Sequence, residues 1–357
     1  MNKSKAKLLT MLTYKRKEGS VTQGLFNNRF IRPMMGKPDT IGNYIAYVTD
    51  TGEVRRIKSN DDVPKGTIAF MAHHDTVHRT DGIQKVYYDP ASDFAFVDDE
   101  CLGADCTTGV WLILEMIKAK VPGLYVIHTG EECGGIGSGA LVKSKPTWLN
   151  NVDYAISFDR YGTTSIITHQ MGMRTCSESF TTDLASILNM NFIPDSGGVY
   201  TDSYEYADIV SECTNISVGY YKQHTKNETQ DIAFAIELRD ALIKADWSKL
   251  RAYRDPTVID YDDFGYVGKG WTSKNKLTNG YWDNYSTTGS SYVSRFDTPS
   301  HTTDDDNLEV LMAKYSTMER VVEAFPYEIA EILSEYGYNK EGLLKDLLHF
   351  HRSSIPF

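Results

Sequence analysis

The chain is short of cysteine, of basic charge and of long apolar runs, and each shortage narrows what it can be. Five cysteines stand among 357 residues, an odd number with no regular spacing and no CxxC pair. That is not the framework of a small disulfide-stapled secreted domain, and it fits reduced thiols in a cytoplasm. Lysine and arginine number 37 against 48 aspartates and glutamates, which leaves a net charge of -11. A general nucleic-acid binder needs a basic surface to displace counterions from phosphate, so no nucleic-acid partner is expected. The same charge disfavours an anionic membrane, and no apolar stretch reaches the roughly 20 residues of a membrane helix. The opening residues pass through a brief Leu8-Leu9-Thr10-Met11-Leu12 run into Lys15, Arg16 and Lys17, which is too short and too basic for a signal peptide. A cytoplasmic protein is expected.

What is present is the alternation of an α/β fold. Between residues 40 and 250 short apolar runs alternate with longer helical patterns, which predicts a mostly parallel mixed sheet with helices on both faces. Four runs matter most: Thr67–Met71 before His73, Leu124–Ile127 before Glu131, Tyr154–Phe158 before Asp159, and Asn215–Val218 shortly before His224. Each is a buried-strand candidate that ends near a polar, metal-competent side chain. Val110, Leu114 and Ile117 recur at helical spacing, and Pro122-Gly123 stops them, so a helix is expected to begin just after Asp105. Open α/β sheets bind ligands at the carboxyl ends of their strands, which is where these residues fall.

The length allows one large α/β domain, expected over 1–254, and an appendage. Over 255–306 the composition turns to Gly, Ser, Thr, Asn and Asp mixed with aromatics, read as a polar-aromatic linker or insert. Helical spacing returns over 307–357, where Leu311, Met312, Tyr315, Met318 and Val322 form one stripe. This predicts a small helical C-terminal appendage, which could serve self-association.

Three motifs carry chemistry. In Ala72-His73-His74-Asp75, residues two apart point the same way, so Asp75 can accept the second ring N–H of His73 and fix its tautomer, while His74 faces away as a bystander. Alone, this motif is weak and better suits a satisfied structural histidine than a metal ligand. Gly103-Ala104-Asp105-Cys106 is a small-residue turn that exposes one carboxylate, either to bridge two cations or to cap the following helix. In Gly130-Glu131-Glu132-Cys133-Gly134-Gly135, two adjacent carboxylates would repel one another unless a cation neutralised one. Glu132 can then ligate metal while Glu131 takes a proton from the attacking water. A solvated acidic turn is the plainer alternative.

The ordered set His73, Asp105, Glu131-Glu132, Asp159, His224 resembles the dizinc exopeptidase superfamily of leucyl aminopeptidases, deblocking aminopeptidases and glutamate carboxypeptidases, over about residues 65 to 235. The resemblance implies two zinc ions, with cobalt or manganese as substitutes. It makes His73 and Asp159 ligands of one ion, Glu132 and His224 ligands of the other, and Asp105 the bridge. It gives Asp75 the orienting role and Glu131 that of general base. Thr201-Asp202-Ser203 is similar to a supporting turn of the family. The interval from Asp159 to His224 is too short for the dimerising lid domain of larger relatives, so the lid-less aminopeptidase branch is the nearer likeness. The phrases SFDRYG and SVGYYKQHTKNE also look like those of peptidases carried by bacteria and bacteriophages.

Cys106 departs from the second aspartate that many relatives place there, and both it and Cys133 are read as packing. Thr225 or Glu228 is expected to start the next helix, and Tyr220 and Tyr221 are the nearest candidates to stabilise an oxyanion. The implied activity is exopeptidase action on short peptides. A carboxypeptidase or deacylase of other amides would use the same centre, and a scaffold without chemistry would have lost these residues.

Overall fold

The computed structural model describes residues 3–258. The helical stretch expected over 307–357 lies outside the described residues, as does the 255–306 segment apart from Asp255–Val258.

The expected runs are strands. An eight-stranded sheet runs, from one edge, through Ile193–Asp195, Ser165–Ile167, Glu212–Ser217, Val152–Arg160, Thr67–His73, Gly123–His128, Tyr44–Val48 and Val54–Arg56. Its four central strands, from Glu212–Ser217 to Gly123–His128, are mutually parallel. Tyr44–Val48 and Val54–Arg56 continue the sheet antiparallel, so it is mixed.

Both faces of this sheet are buried, and the strand period of two decides which side chain serves which face. Ile68, Phe70 and Ala72 join one core with Tyr125, Ile127, Ile156 and Phe158. Ala69 and Met71 join a second with Leu124, Val126 and Ala155. The first face is covered by helices Ala104–Lys118 and Ile232–Lys244, whose Trp111, Leu114, Leu238 and Leu242 belong to its core. The second is covered by helix Ile136–Lys143 and the turns carrying Trp148 and Tyr206. Gly109 sets how closely the first helix approaches: a Cβ there would collide with the Phe158 carbonyl and the Cys106 sulfur. No described helix is long and apolar enough to cross a membrane.

A separate four-stranded sheet joins Tyr220–Tyr221, Thr229–Asp231, Phe94–Val97 and Val86–Asp89. It carries the loop of His224, which the apolar pattern did not reveal. Beyond the last long helix the chain returns to the main sheet. The Tyr253 and Arg254 backbone N–H groups donate to Glu212 Oε1 at 2.8 and 3.0 Å, and the Arg254 guanidinium donates to the Ala207 carbonyl at 2.8 Å.

Candidate metal centre

Four of the expected residues reach the site from neighbouring parallel strands or the turns that follow them. His73 ends its own strand, and Glu131 and Glu132 follow the strand Gly123–His128, paired to it in register His73↔His128. Asp159 lies inside the strand Val152–Arg160 rather than just after it. Asp105 sits where a long helix has yet to take helical angles: Asp105 and Cys106 have ψ of 109° and 45°, and their peptide is cis. Asp105 makes no helix-capping bond, so that alternative use of its carboxylate is not taken. His224 sits between two short antiparallel strands at φ 61°.

The Asp105 carboxylate faces two ways. Its Oδ1 lies 3.1 Å from His73 Nε2, and that nitrogen is 3.4 Å from Asp159 Oδ1. Its Oδ2 lies 3.2 Å from His224 Nε2, which is 3.0 Å from Glu132 Oε1. Donors bound tetrahedrally to zinc at about 2.0–2.1 Å are themselves separated by about 3.3 Å. The spacings are therefore those of two donor groups sharing one carboxylate. Asp159 Oδ1 is buried without a hydrogen-bond partner, whereas its Oδ2 accepts from Thr201 Oγ1 at 2.7 Å. An orphaned buried carboxylate oxygen aimed at an imidazole nitrogen suits a cation between them.

The charge balance points the same way. Burial, with Asp105 beside it, pushes the Asp159 carboxyl up to about 7, and burial likewise raises Glu131 and Glu132. Burial alone would lower the imidazoles. The neighbouring carboxylates reverse that, carrying His224 to about 11 and His73 well above its ordinary value. The cluster calls for positive charge at its centre, and divalent cations supply it while leaving imidazoles neutral and carboxylates ionised. Three sets of donor atoms fall within 4.8 Å of one another: His73 with Glu131 and Glu132, Asp105 with Glu132 and His224, and His73 with Cys106 and Asp159. In the last, the Cys106 thiol donates to the Phe158 carbonyl at 3.0 Å, and burial raises it far from the thiolate a metal needs.

The supporting residues divide by what they hold. Asp75, fully buried, lies 3.4 Å from His73 Nδ1 and accepts the backbone N–H groups of Glu131 and Glu132 at 3.2 and 3.0 Å. One carboxylate thus lies against the imidazole and holds the turn of the paired glutamates. Burial opposes its charge, but hydrogen bonding to His73 overcomes this and lowers its carboxyl. His74 turns away, with its Nδ1 3.1 Å from Gln23 Nε2. The Glu131 carboxylate lines the cavity and makes no hydrogen bond among the described residues; its nearest charged neighbour is His73 Nε2 at 3.9 Å. Gly135, at φ 64°, leaves room for the Tyr200 hydroxyl, which a Cβ would displace.

Two expectations fail on local grounds. Neither Thr225 nor Glu228 starts the next helix: Asp231 caps it, accepting the Phe234 N–H at 2.9 Å. Glu228 is instead buried, accepting the N–H groups of Gly103 and Ala104 at 2.9 Å and of Asp105 at 3.2 Å. It ties the His224 loop to the Asp105 turn. A carboxylate four residues beyond a candidate ligand histidine in the same loop was the available signal. Cys133 is exposed rather than packed. Tyr220 does line the site, but its hydroxyl donates to the Asp159 carbonyl at 3.0 Å.

No protein-family profile matches the chain, and no curated protein matches it by sequence. Solved structures do. An aminopeptidase PepT from Bacillus cereus shares 14% identity over 69% of this chain and 98% of its own, at a TM-score of 0.51. PhTET1-12s, a dodecamer in its asymmetric unit, shares 15% over 68% of this chain and 98% of its own, at a TM-score of 0.50. The chain has the α/β fold of these proteins, the fold its sequence resemblance implied.

Proposed function

We propose that the chain is a metal-dependent exopeptidase, an aminopeptidase that hydrolyses the N-terminal peptide bond of short peptides. The observation that carries this is the Asp105 carboxylate, with one oxygen on the His73–Asp159 group and the other on the Glu132–His224 group. His73, Asp159 and Asp105 would hold one zinc ion, and Glu132, His224 and Asp105 the other. Bound there, the pair supplies Lewis acidity, easing deprotonation of water and polarising the scissile carbonyl.

The chain's own groups do the rest. Asp75 keeps the His73 ring aimed by holding Nδ1. Glu131, without a competing hydrogen bond, takes a proton from the attacking water at a carboxylate oxygen and delivers it to the leaving amine. The cavity mouth admits a chain end, and its volume of about 260 Å³ suits one side chain beside the reacting bond. The catalytic unit is proposed to end near residue 254, in a cytoplasmic protein. PhTET1-12s, a dodecamer in its asymmetric unit, supports self-association as the quaternary state to test first.

The test is metal content with a substrate panel. Protein loaded with zinc, cobalt or manganese should carry about two ions per chain and hydrolyse aminoacyl amides, and chelation should abolish the activity. Cleavage of acyl-amino acids alone would move the assignment to a carboxypeptidase or deacylase, and full activity after exhaustive chelation would overturn the reading.

A further inference from the structure

Beside the donor groups the cavity wall holds a cation that the proposed hydrolysis does not use. Arg160 follows Asp159 directly in the central strand and lines the same cavity, with Tyr161, Ile167, Val199 and Tyr200 as further walls. Its side chain is 8% exposed. Its Cζ lies 4.2 Å from the centre of the Tyr161 ring, within cation–π distance. Only Nη2 is engaged, donating to Asp195 Oδ2 at 3.0 Å and to the Tyr161 hydroxyl at 3.4 Å. Nε is buried with no hydrogen-bond partner, and no described residue accepts from Nη1. The other Asp195 oxygen accepts from the Gly197 N–H at 2.8 Å, and Asp195 holds Arg160 through one bond rather than a two-toothed pair.

A buried guanidinium set over an aromatic ring, with most of its fork unclaimed, suits a carboxylate. An unpaired buried donor is costly, so a site keeps one where a ligand completes it. Resting on the metal-dependent reading, the charges then balance. The cavity's four carboxylates, Asp105, Glu131, Glu132 and Asp159, are offset by two divalent ions, and the Arg160–Asp195 pair is left to act on the substrate. Asp159 and Arg160 line the same cavity, so a substrate whose scissile bond is held at Asp159 lies beside the guanidinium.

We propose that Arg160 selects substrates bearing a carboxylate within one residue of the scissile bond. Two sources present that group: the side chain of an N-terminal glutamyl or aspartyl residue, and the free terminal carboxylate of a dipeptide.

The experiment compares isosteric pairs on zinc-loaded full-length protein. Glutamyl against glutaminyl aminomethylcoumarin isolates the side chain, and Leu-Gly against Leu-Gly-amide isolates the terminus. A kcat/KM ratio of about ten to a hundred in favour of the carboxylate in either pair, falling towards one in Arg160→Gln, supports the proposal and names the source. Asp195→Asn frees the fork and should raise the same ratio, which guards against an Arg160 variant that merely misfolds. Calorimetric binding of glutamate against glutamine to the loaded protein gives a readout independent of turnover, with its preference also lost in Arg160→Gln. Ratios near one in the wild type, or ratios that Arg160→Gln leaves intact, overturn the role of Arg160 while the peptidase reading stands. If no amide is cleaved at all, the peptidase reading fails, and calorimetry of glutamate against glutamine and of Leu-Gly against Leu-Gly-amide still decides Arg160.

Discussion

The two donor groups that share Asp105 are built on different foundations. His73 and Asp159 stand on adjacent parallel strands of the main sheet, with side chains 1% and 8% exposed. His224 rides a loop of the smaller sheet, its side chain 43% exposed and its backbone at positive φ. The strand-borne half inherits its geometry from strand register and from two cores packed on either face. The loop-borne half is held by Glu228, which reaches from the His224 loop to three backbone N–H groups around Asp105, by the short strand pair that flanks His224, and by Asp75 at the Glu132 turn. The lesson is that two sites with nearly equal donor spacing need not be equally preorganised. The strand-borne half should bind its ion more tightly and exchange it more slowly.

The largest expected effect belongs to neither half. Glu131→Gln keeps the shape of the side chain but cannot take a proton, so kcat should fall by about a hundred- to ten-thousandfold. Metal content measured on the same sample should stay at the wild-type ratio. Near-wild-type turnover would transfer the base role to another residue.

Next in size is a direct comparison of the halves. His73→Ala should strip the tight ion, whereas His224→Ala should leave it bound and weaken only the exchangeable one. Asp75→Asn, which disturbs both His73 and the Glu131–Glu132 turn, should weaken both ions, that at His73 by about ten- to a hundredfold. Competition with a chelator of known affinity separates the three variants, and equal losses in His73→Ala and His224→Ala would erase the asymmetry.

Acidity gives a subtler contrast. With metal removed, the Asp159 and Glu228 carboxyls titrate at about 7 in the folded chain, against ordinary values of 3.8 and 4.5. A carboxyl raised on folding binds its proton more tightly when folded. Its stabilising contribution is therefore complete below about pH 4 and is lost as the pH climbs towards 7. Metal binding instead requires deprotonated ligands, so the loaded protein should gain stability over the same window. Between about pH 5 and about pH 7, zinc-loaded protein should thus gain in urea midpoint relative to chelated protein, in which the buried His78 and His128, held below their ordinary values, offset part of the carboxyl loss. Parallel trends would contradict the proposed ligands.

What the sequence disclosed follows the same division. His73, Glu131, Glu132 and Asp159 were legible because apolar strands lead into them and the strand period says which side chains face inward together. Asp105 was legible through the small residues around it. His224 had no such local signature and could be placed only as a member of an ordered set. Its sheet pairs Thr229–Asp231 with Phe94–Val97, segments far apart in sequence whose mixed polar composition gives no period to read. Glu228 was mistaken for a helix start because a polar residue just before an apolar helix looks like a cap, and Asp231 takes that place. Arg160 was invisible for another reason: a basic residue beside an aspartate reads as a surface pair until the cavity around it is seen.

The smallest expected effect is also the sharpest probe of how the loop-borne half is held. In Glu228→Gln the amide keeps one acceptor oxygen, so part of the hold on Gly103, Ala104 and Asp105 is lost, at a cost of about 1–3 kcal/mol. The Asp105 turn has a second anchor, since Gly109 seats the same helix directly on the Phe158 carbonyl. The His224 loop keeps its flanking strand pairs and the bond from the Tyr220 hydroxyl to the Asp159 carbonyl, but its tie to the Asp105 turn is weakened. The substitution should therefore weaken the exchangeable ion by about tenfold, as loss of a supporting contact typically does, and leave the ion at His73 and Asp159 in place. It should also flatten part of the pH dependence of the chelated protein, because one of the carboxyls titrating near 7 is gone. Metal titration of this variant beside the wild type tests both statements at once. An equal loss at both ions would mean that Glu228 serves the bridge rather than the loop, and the contrast between the halves would then rest on His224 alone.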